Sequence, residues 1–337
     1  MMTGTIVEFL LCGLAILLAG TLLTRCADRI AELSGLGRVF VGSVFLAAAT
    51  SLPELSVDMN AVRLGSPDLA AGDLLGSSLM NLLILAVLDT AGLSPRRAFG
   101  ADSRQHALAA LLSILLTAWV GLAAASGGGT EVFGAGMFSW GLVALYAMGL
   151  RVVWLEQDRP DITAGVKKPT ERLASALAWP VAGYVAASIA ILVVAPLLAA
   201  SAGRLAALSG LGQTFFGTTA LALATSLPEL VATVTAFRIG APDLALGNIF
   251  GSNAFNMVLF LPLDLAMPEP FFGAVRPEHA LTAFAVIAAT TLAVMGQVLK
   301  PRARRWFLEP SPEMIAILIA GLLWLLYRCR DGIGALS

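Results

Sequence analysis

Two glutamates stand out because of where they fall. Glu54 follows Thr50, Ser51, Leu52 and Pro53 in the middle of a long apolar run. Glu229 follows Thr225, Ser226, Leu227 and Pro228 in another. Proline has no N–H and its ring clashes with the carbonyl four residues back. Each helix should therefore break there, freeing carbonyls near Ala49 and Thr50, and near Ala224 and Thr225. Such carbonyls are tolerated at membrane depth only where they face protein or a water-filled cavity. The serine and threonine hydroxyls add further oxygens. A lone ionised carboxylate in hydrocarbon is expensive. Two brought together repel unless a cation or protons neutralise them. All-oxygen ligation suits a hard cation, and calcium accepts about 6–8 oxygens at about 2.3–2.6 Å. A soft transition metal would want histidine or cysteine, which this apolar core lacks.

Further oxygens lie downstream. Ser77 and Asn81 are four residues apart, as are Ser252 and Asn256, so each pair shares a helix face. Their hydroxyl and amide oxygens can ligate sodium or calcium without adding charge. Gly72, Gly76, Gly247 and Gly251 form small-xxx-small pairs that let helices approach closely. Asp58 sits four residues after Glu54, and Asp73 four before Ser77. Either acid can line an ion path, hold a proton or second cation, or be paired at an interface. Asp68 and Asp243 each follow a proline at a helix start and read as caps.

These residues need elements that hold them in lipid. Of the 337 residues, 58% are hydrophobic and only 13% charged. A soluble domain carries about 25% charged residues. That difference excludes a cytosolic enzyme, a nucleic-acid binder and a disordered chain, and a net charge of −1 offers nothing to nucleic acid. Cys12, Cys26 and Cys329 form no zinc or disulfide pattern, and His106 and His279 read as helix-end residues. Ten apolar stretches are long enough to be spans. They are Ile6 to Leu23, Val39 to Val62, Leu69 to Leu88, Ala107 to Ala124 and Val132 to Leu155. Then come Leu177 to Ala199, Thr214 to Phe237, Leu244 to Leu265, Ala280 to Val298 and Met314 to Tyr327. The first lacks the basic start of a cleavable signal. Gly127, Gly128 and Gly129 mark a turn between spans. Of the 21 basic residues, all but Arg63, Arg204, Arg276, Arg328 and Arg330 fall in the odd-numbered loops. The positive-inside bias then puts those loops in the cytoplasm and both termini outside. The expectation is a multi-pass protein of the cell (plasma or inner) membrane.

The chain also repeats itself. A shift of 175 residues aligns Ser34 to Asn81 with Ser209 to Asn256 without a gap, with 26 of 48 positions identical. GSVFLAAATSLPEL and RLGSPDLAAGDLLGSSLMN in one copy answer GTTALALATSLPEL and RIGAPDLALGNIFGSNAFN in the other. Thr233 stands opposite Asp58, and Asn248 opposite Asp73. Five spans separate the copies, an odd number, so the second half is expected upside down in the membrane. Inverted repeats are the usual architecture of secondary transporters, with the substrate site near the midplane between the halves. The fold class is therefore all-α: ten transmembrane helices in two inverted five-helix repeats. The first half is 1–155, a cytoplasmic linker is 156–175, and the second half is 176–337.

The paired TSLPE and GNxxGSN-like motifs resemble the two alpha-repeats of the sodium/calcium exchanger family, within the cation/calcium antiporters. The resemblance implies alternating access, with calcium and sodium sharing one central site in turn. It implies that Glu54 and Glu229 bind calcium with the carbonyls of Thr50 and Thr225. Asn81, Asn256, Ser51, Ser77, Ser226, Ser252 and the carbonyls of Ala47 and Ala222 would complete the sodium sites. Spans 1 and 6 would slide as a pair. The chain departs from the family pattern at Asp73, Ser78, Ala49 and Ala224. Asn256 stands where some relatives carry aspartate, which weakens the case for potassium co-transport. The transported ions expected are calcium and sodium, with protons the alternative counter-ion carried by the two glutamates. A passive cation channel is a further reading, and nothing in the sequence supports an intramembrane enzyme. The partners expected are inorganic cations and the lipid bilayer, with no nucleic acid and no evident protein partner.

Overall fold

The computed structural model describes residues 2–93, 104–157, 171–208, 224–298 and 312–333. The described residues are almost wholly helical. Helix α1 (Met2–Ser34) leads to α2 (Arg38–Thr50), α3 (Leu52–Arg63), α4 (Pro67–Thr90) and α5 (Arg104–Ser126). Helices α6 (Met137–Gln157) and α7 (Glu171–Leu208) follow. The rest is α8 (Leu227–Arg238), α9 (Pro242–Val258), α10 (Phe260–Leu265), α11 (Phe271–Ala274), α12 (His279–Val298) and α13 (Pro312–Ile333). Among the described residues, 7 helices are long and apolar enough to cross a membrane, and up to 8 if the pair α2–α3, bent by 41°, is counted as one span. Helices suit that setting because each satisfies its own backbone where lipid offers no partner. Leu10, Leu11, Leu14 and Leu18 on α1 and Val193 on α7 point outward. Hydrocarbon, not water, is the solvent for such faces.

Two sequence expectations need correction. The stretch expected to begin a span at Val132 starts instead as a two-stranded antiparallel hairpin, Glu131–Val132 against Ala135–Gly136, and turns helical only at Met137. Buried Asp264 explains why the hairpin holds: it accepts from the backbone N–H groups of Gly136 and Phe271, each at 2.9 Å, and from the Ser139 hydroxyl. The eighth stretch holds as one span, Pro242–Leu265, with Leu259 a single helical-region residue between α9 and α10. Asp68 makes no capping bond within its own helix. It accepts from the Arg276 N–H at 2.8 Å and pairs with His279 Nε2 at 3.0 Å. Asp243 likewise pairs with His106 Nε2 at 3.0 Å. Asp68 and Asp243 are equivalent across the repeat, so each half holds the other by one Asp–His contact.

The interior falls into two apolar clusters. One runs where α1 lies along α7, with Ile16, Leu23 and Ala27 packed in a group with Ile191, Ala195 and Leu198. The other joins Leu74 and Leu75 to Leu116, Val120 and the rings of Phe260, Phe271 and Phe272. At the crossing of α2 and α9 the backbones meet. A Cβ added at Gly251 would fall 2.3 Å from the Ser43 Cα, and one at Gly247 2.6 Å from the Val39 carbonyl oxygen. These two glycines serve packing, as the small-xxx-small spacing predicts.

Candidate cation site

Both TSLPE segments break the helix in the same way. Ser51 (φ −89°, ψ 1°) and Ser226 (φ −82°, ψ 5°) leave helical geometry, and the proline opens the first turn of the next helix. Pro53 and Pro228 have no N–H to give to the carbonyls of Ala49 and Ala224. The break places Glu54 and Glu229 in the first turns of α3 and α8. There the positive end of the helix dipole favours an anion. Just before the first break, Gly42–Leu46 winds as a π-turn, and Tyr184 donates to the Phe45 carbonyl at 2.6 Å.

Two identical turns then fold each glutamate-bearing helix back against its neighbour. Gly65 (φ 73°) and Gly240 (φ 74°) take the left-handed conformation that glycine allows. The N–H groups of Gly65 and Ser66 bond back to Val62 and Ala61, and those of Gly240 and Ala241 to Phe237 and Ala236. This is the Schellman ending. The register of the α3–α4 hairpin follows from the turn. Counting outward from Gly65 sets Asp58 opposite Asp73, Glu54 opposite Ser77, and Ser51 opposite Asn81. The same count from Gly240 sets Thr233 opposite Asn248, Glu229 opposite Ser252, and Ser226 opposite Asn256.

The rungs are deeply buried, and many of their polar atoms have no partner. Glu54, Glu229, Asn81, Asn256 and Ser77 are each 1% exposed. Thr50, Ser51, Thr225, Ser226 and Ser252 are equally enclosed. Glu54 Oε2, both Glu229 carboxylate oxygens, Asn81 Oδ1, Asn256 Oδ1 and the Ser51, Ser77 and Ser226 hydroxyls make no hydrogen bond. Glu54 lies within electrostatic range of Glu229. A single buried polar group left unsatisfied costs about 1–3 kcal/mol. A set of oxygens of this kind, gathered round two carboxylates, is complementary to a hard cation. Among the described residues no group of three or more His, Cys, Asp or Glu is arranged to hold a metal. Neutral oxygens would therefore supply much of the ligation.

The remaining residues tie this set in place. Thr50 Oγ1 lies 3.3 Å from the Ala47 carbonyl, from Asn248 Oδ1 and from Ser252 Oγ, so it links the two halves. The Ala47 carbonyl also accepts from the Ser51 N–H at 3.0 Å, so it is already engaged twice. Ala222 lies outside the described residues. Asn253 was not singled out by sequence reasoning, yet it orients Asn81. It accepts from Asn81 Nδ2 at 3.0 Å and donates to the Ser78 carbonyl at 3.1 Å. Ser78, its repeat equivalent, turns its hydroxyl onto its own helix at Leu74. The mismatch between Ser78 and Asn253 was the available signal. The repeat also runs further than its motifs, to Asp89 and Asp264.

Two helix contacts related by the repeat differ. Ser56 and Asn60 of α3 and Pro196 and Gly203 of α7 line a cavity of about 650 Å³. The repeat-related contact, between α8 and α1, is closed. A Cβ added at Gly20 would sit 2.8 Å from the Val231 Cγ1.

The comparisons with known proteins converge with this geometry. The model of the family described as sodium/calcium exchanger protein matches residues 5–155 and 179–329. The chain belongs to the sodium/calcium exchanger family. It is 30% identical over 297 residues to a putative antiporter, CaxA, of Alkalimonas amylolytica, covering 88% of this chain and 89% of that one. It is 29% identical over 272 residues to the inner membrane protein YrbG of Escherichia coli, covering 75% and 79%. The fold resembles that of the sodium-calcium exchanger NCX_Mj, with a TM-score of 0.72 at 19% identity, covering 97% of this chain and 99% of that one. As an exchanger-family chain it is a membrane protein, and the family is one of transporters rather than enzymes. Its two family matches each contain one TSLPE break and one Gly-Ser helix.

Proposed function

We propose that the chain is a secondary antiporter that moves calcium against sodium by alternating access. In this reading ten spans form two inverted five-helix halves, 1–155 and 176–337, joined by the linker 156–175 on the cytoplasmic side. Both termini lie outside, as the loop charges require. Glu54 and Glu229 neutralise calcium. Asn81, Asn256, Ser51, Ser77, Ser226, Ser252, the Thr50 and Thr225 carbonyls and the Ala47 and Ala222 carbonyls share the remaining ligation of calcium and sodium.

The observation that carries the reading is the set of buried, unpartnered oxygens that accompanies the two buried glutamates at the two helix breaks. Two carboxylates match one divalent charge, or two monovalent charges. One set of ligands can therefore hold either ion, but not both at full charge, which is the basis of exchange. The contrast between the open α3–α7 crevice and the closed Gly20–Val231 contact supports access from one side at a time.

The test is calcium uptake into proteoliposomes holding the purified chain. An imposed sodium gradient at constant pH should drive uptake that saturates, and removing the gradient should stop it. Glu54→Gln and Glu229→Gln should each cost about 2–5 kcal/mol of cation binding, at least roughly thirtyfold in affinity. Uptake that ignores sodium but follows a pH gradient would favour calcium/proton exchange, for which the two glutamates would act as coupled proton carriers. Flux that needs no counter-ion would mark a passive path instead.

A further inference from the structure

One contact at the edge of the cation site takes no part in the ligation. Tyr184 of α7 donates its hydroxyl to the Phe45 carbonyl at 2.6 Å. That carbonyl belongs to the π-turn Gly42–Leu46, which runs directly into Ala47 and Thr50. Single π-turns inside α-helices are rare, and they are frequent at functional sites. The reason here is register. A π-turn inserts one residue, and one residue is about 100° of rotation at 3.6 residues per turn. The turn therefore decides which way every side chain beyond Leu46 faces.

Both ends of the turn are engaged. Upstream, the backbone is clamped onto α9. A Cβ added at Gly42 would fall 2.6 Å from the Leu244 carbonyl oxygen, and one at Gly251 2.3 Å from the Ser43 Cα. That end has no room to rotate. Downstream, Thr50 Oγ1 reaches Asn248 Oδ1 and Ser252 Oγ, each at 3.3 Å. Were the π-turn to relax to α geometry, the downstream end would have to swing, and Thr50 would leave both partners. Tyr184 bonds to the turn between these two ends. Its own helix is fixed at the same level, where a Cβ added at Gly183 would fall 2.7 Å from the Cys26 Sγ of α1. Tyr184 is thus a strut from the long α1–α7 pair to the turn that sets one side of the site.

A hydroxyl in hydrocarbon needs some partner, and that need alone could account for the bond. The repeat argues for more. Its 175-residue frame extends into the long helices, where Ile16, Leu23 and Arg29 match Ile191, Leu198 and Arg204. In that frame the counterpart of Tyr184 is Phe9. Both rings pack against the same apolar cluster, so packing at this level does not require a hydroxyl. On these contacts, and resting on the exchange reading, we propose that Tyr184 is a positioning residue for cation binding. Its hydroxyl holds the π-turn wound and so keeps Thr50 and the Ala47 carbonyl at the cation site. It ties the first half's share of the ligands to the place of the long pair.

Tyr184→Phe removes only the oxygen and copies Phe9. In proteoliposomes under a sodium gradient, the calcium concentration for half-maximal uptake should rise about threefold to tenfold, the scale of one interhelical hydrogen bond in a membrane. The maximal rate should hold. Thr50→Val should raise the half-maximal concentration as well. In that background Tyr184→Phe should add nothing, because the contact it protects is already lost. In detergent, the rise in unfolding temperature that calcium produces should shrink in Tyr184→Phe. A hydroxyl that only satisfies itself would leave the half-maximal concentration unchanged. It would lower the unfolding temperature equally with and without calcium. That result overturns the proposal, as do effects of the two substitutions that simply add, or a Tyr184→Phe chain that does not fold. Should Tyr184→Phe fold but fail to transport, the calcium-dependent rise decides. A wild-type chain that moves no calcium under a sodium gradient would sink the exchange reading instead, and the calcium-dependent rise would still judge Tyr184. A wild-type chain without that rise would sink both.

Discussion

Asn253 occupies the nitrogen of Asn81 and leaves its oxygen unpartnered, free for the proposed cation site. An amide free to turn would present N–H and C=O by turns, and the N–H would repel a cation. Asn253→Ala should therefore weaken calcium binding by roughly tenfold, the scale on which partners of metal ligands act. Folding should be little affected, and calcium titration of the purified protein would show both. Asn81→Ala, which removes the ligand itself, should cost at least as much. The contrast shows what a sequence displays. Glu54, Glu229, Asn81 and Asn256 were legible because each recurs 175 residues away on a polar background that lipid does not tolerate idly. Asn253 was not, because its contact runs from one half to the other and no spacing within one copy encodes it.

Element by element, proline was the most readable signal. The 41° bend falls at the residue before Leu52, and its counterpart at Ser226 shares its dihedrals. The hairpin before α6 was hidden because four residues of strand carry almost no periodicity, and it survives through Asp264 rather than through its own sequence. Glycine positions give two predictions of different kind. Gly251→Val would drive a branched side chain into the Ser43 backbone, which cannot yield as a flexible side chain could. Overpacking of this sort costs about 1–3 kcal/mol or more, so the variant should unfold in detergent well below the parent. Gly20→Val acts on a contact that has an alternative. It should wedge α1 from Val231 and favour the arrangement in which the α3–α7 crevice closes. A cysteine placed at Asn60, in a chain with Cys12, Cys26 and Cys329 replaced, should then react more slowly with a membrane-impermeant thiol reagent. Unchanged labelling would mean that the two contacts are not coupled.

Across the whole molecule, the halves are joined by paired contacts related by the repeat. His106 holds Asp243, and His279 holds Asp68. Hydrogen bonds to charged groups contribute about 1.5–3 kcal/mol. His106→Ala and His279→Ala should each lower the unfolding temperature. Their effects should add, since the two contacts share no residue. These clasps were not legible from composition, because a histidine at a helix end looks the same with or without a partner in the other half.

One dimension of the fold has a consequence for the lipid around it. Helix α1 has 33 residues and α7 has 38. At 1.5 Å per residue they are about 50 and 57 Å long, against about 30 Å of hydrocarbon. They lie side by side, and both are apolar over most of their length. A helix so much longer than the bilayer meets hydrophobic mismatch by tilting. It can also shift along its axis without drawing a polar end into the acyl chains. The α9–α10 span, with 24 residues, has far less reserve. Bilayer thickness should therefore act on the short, tightly crossed helices and not on the long pair. Reconstitution in lipids of increasing acyl length should lower protein stability before it lowers the rate of exchange.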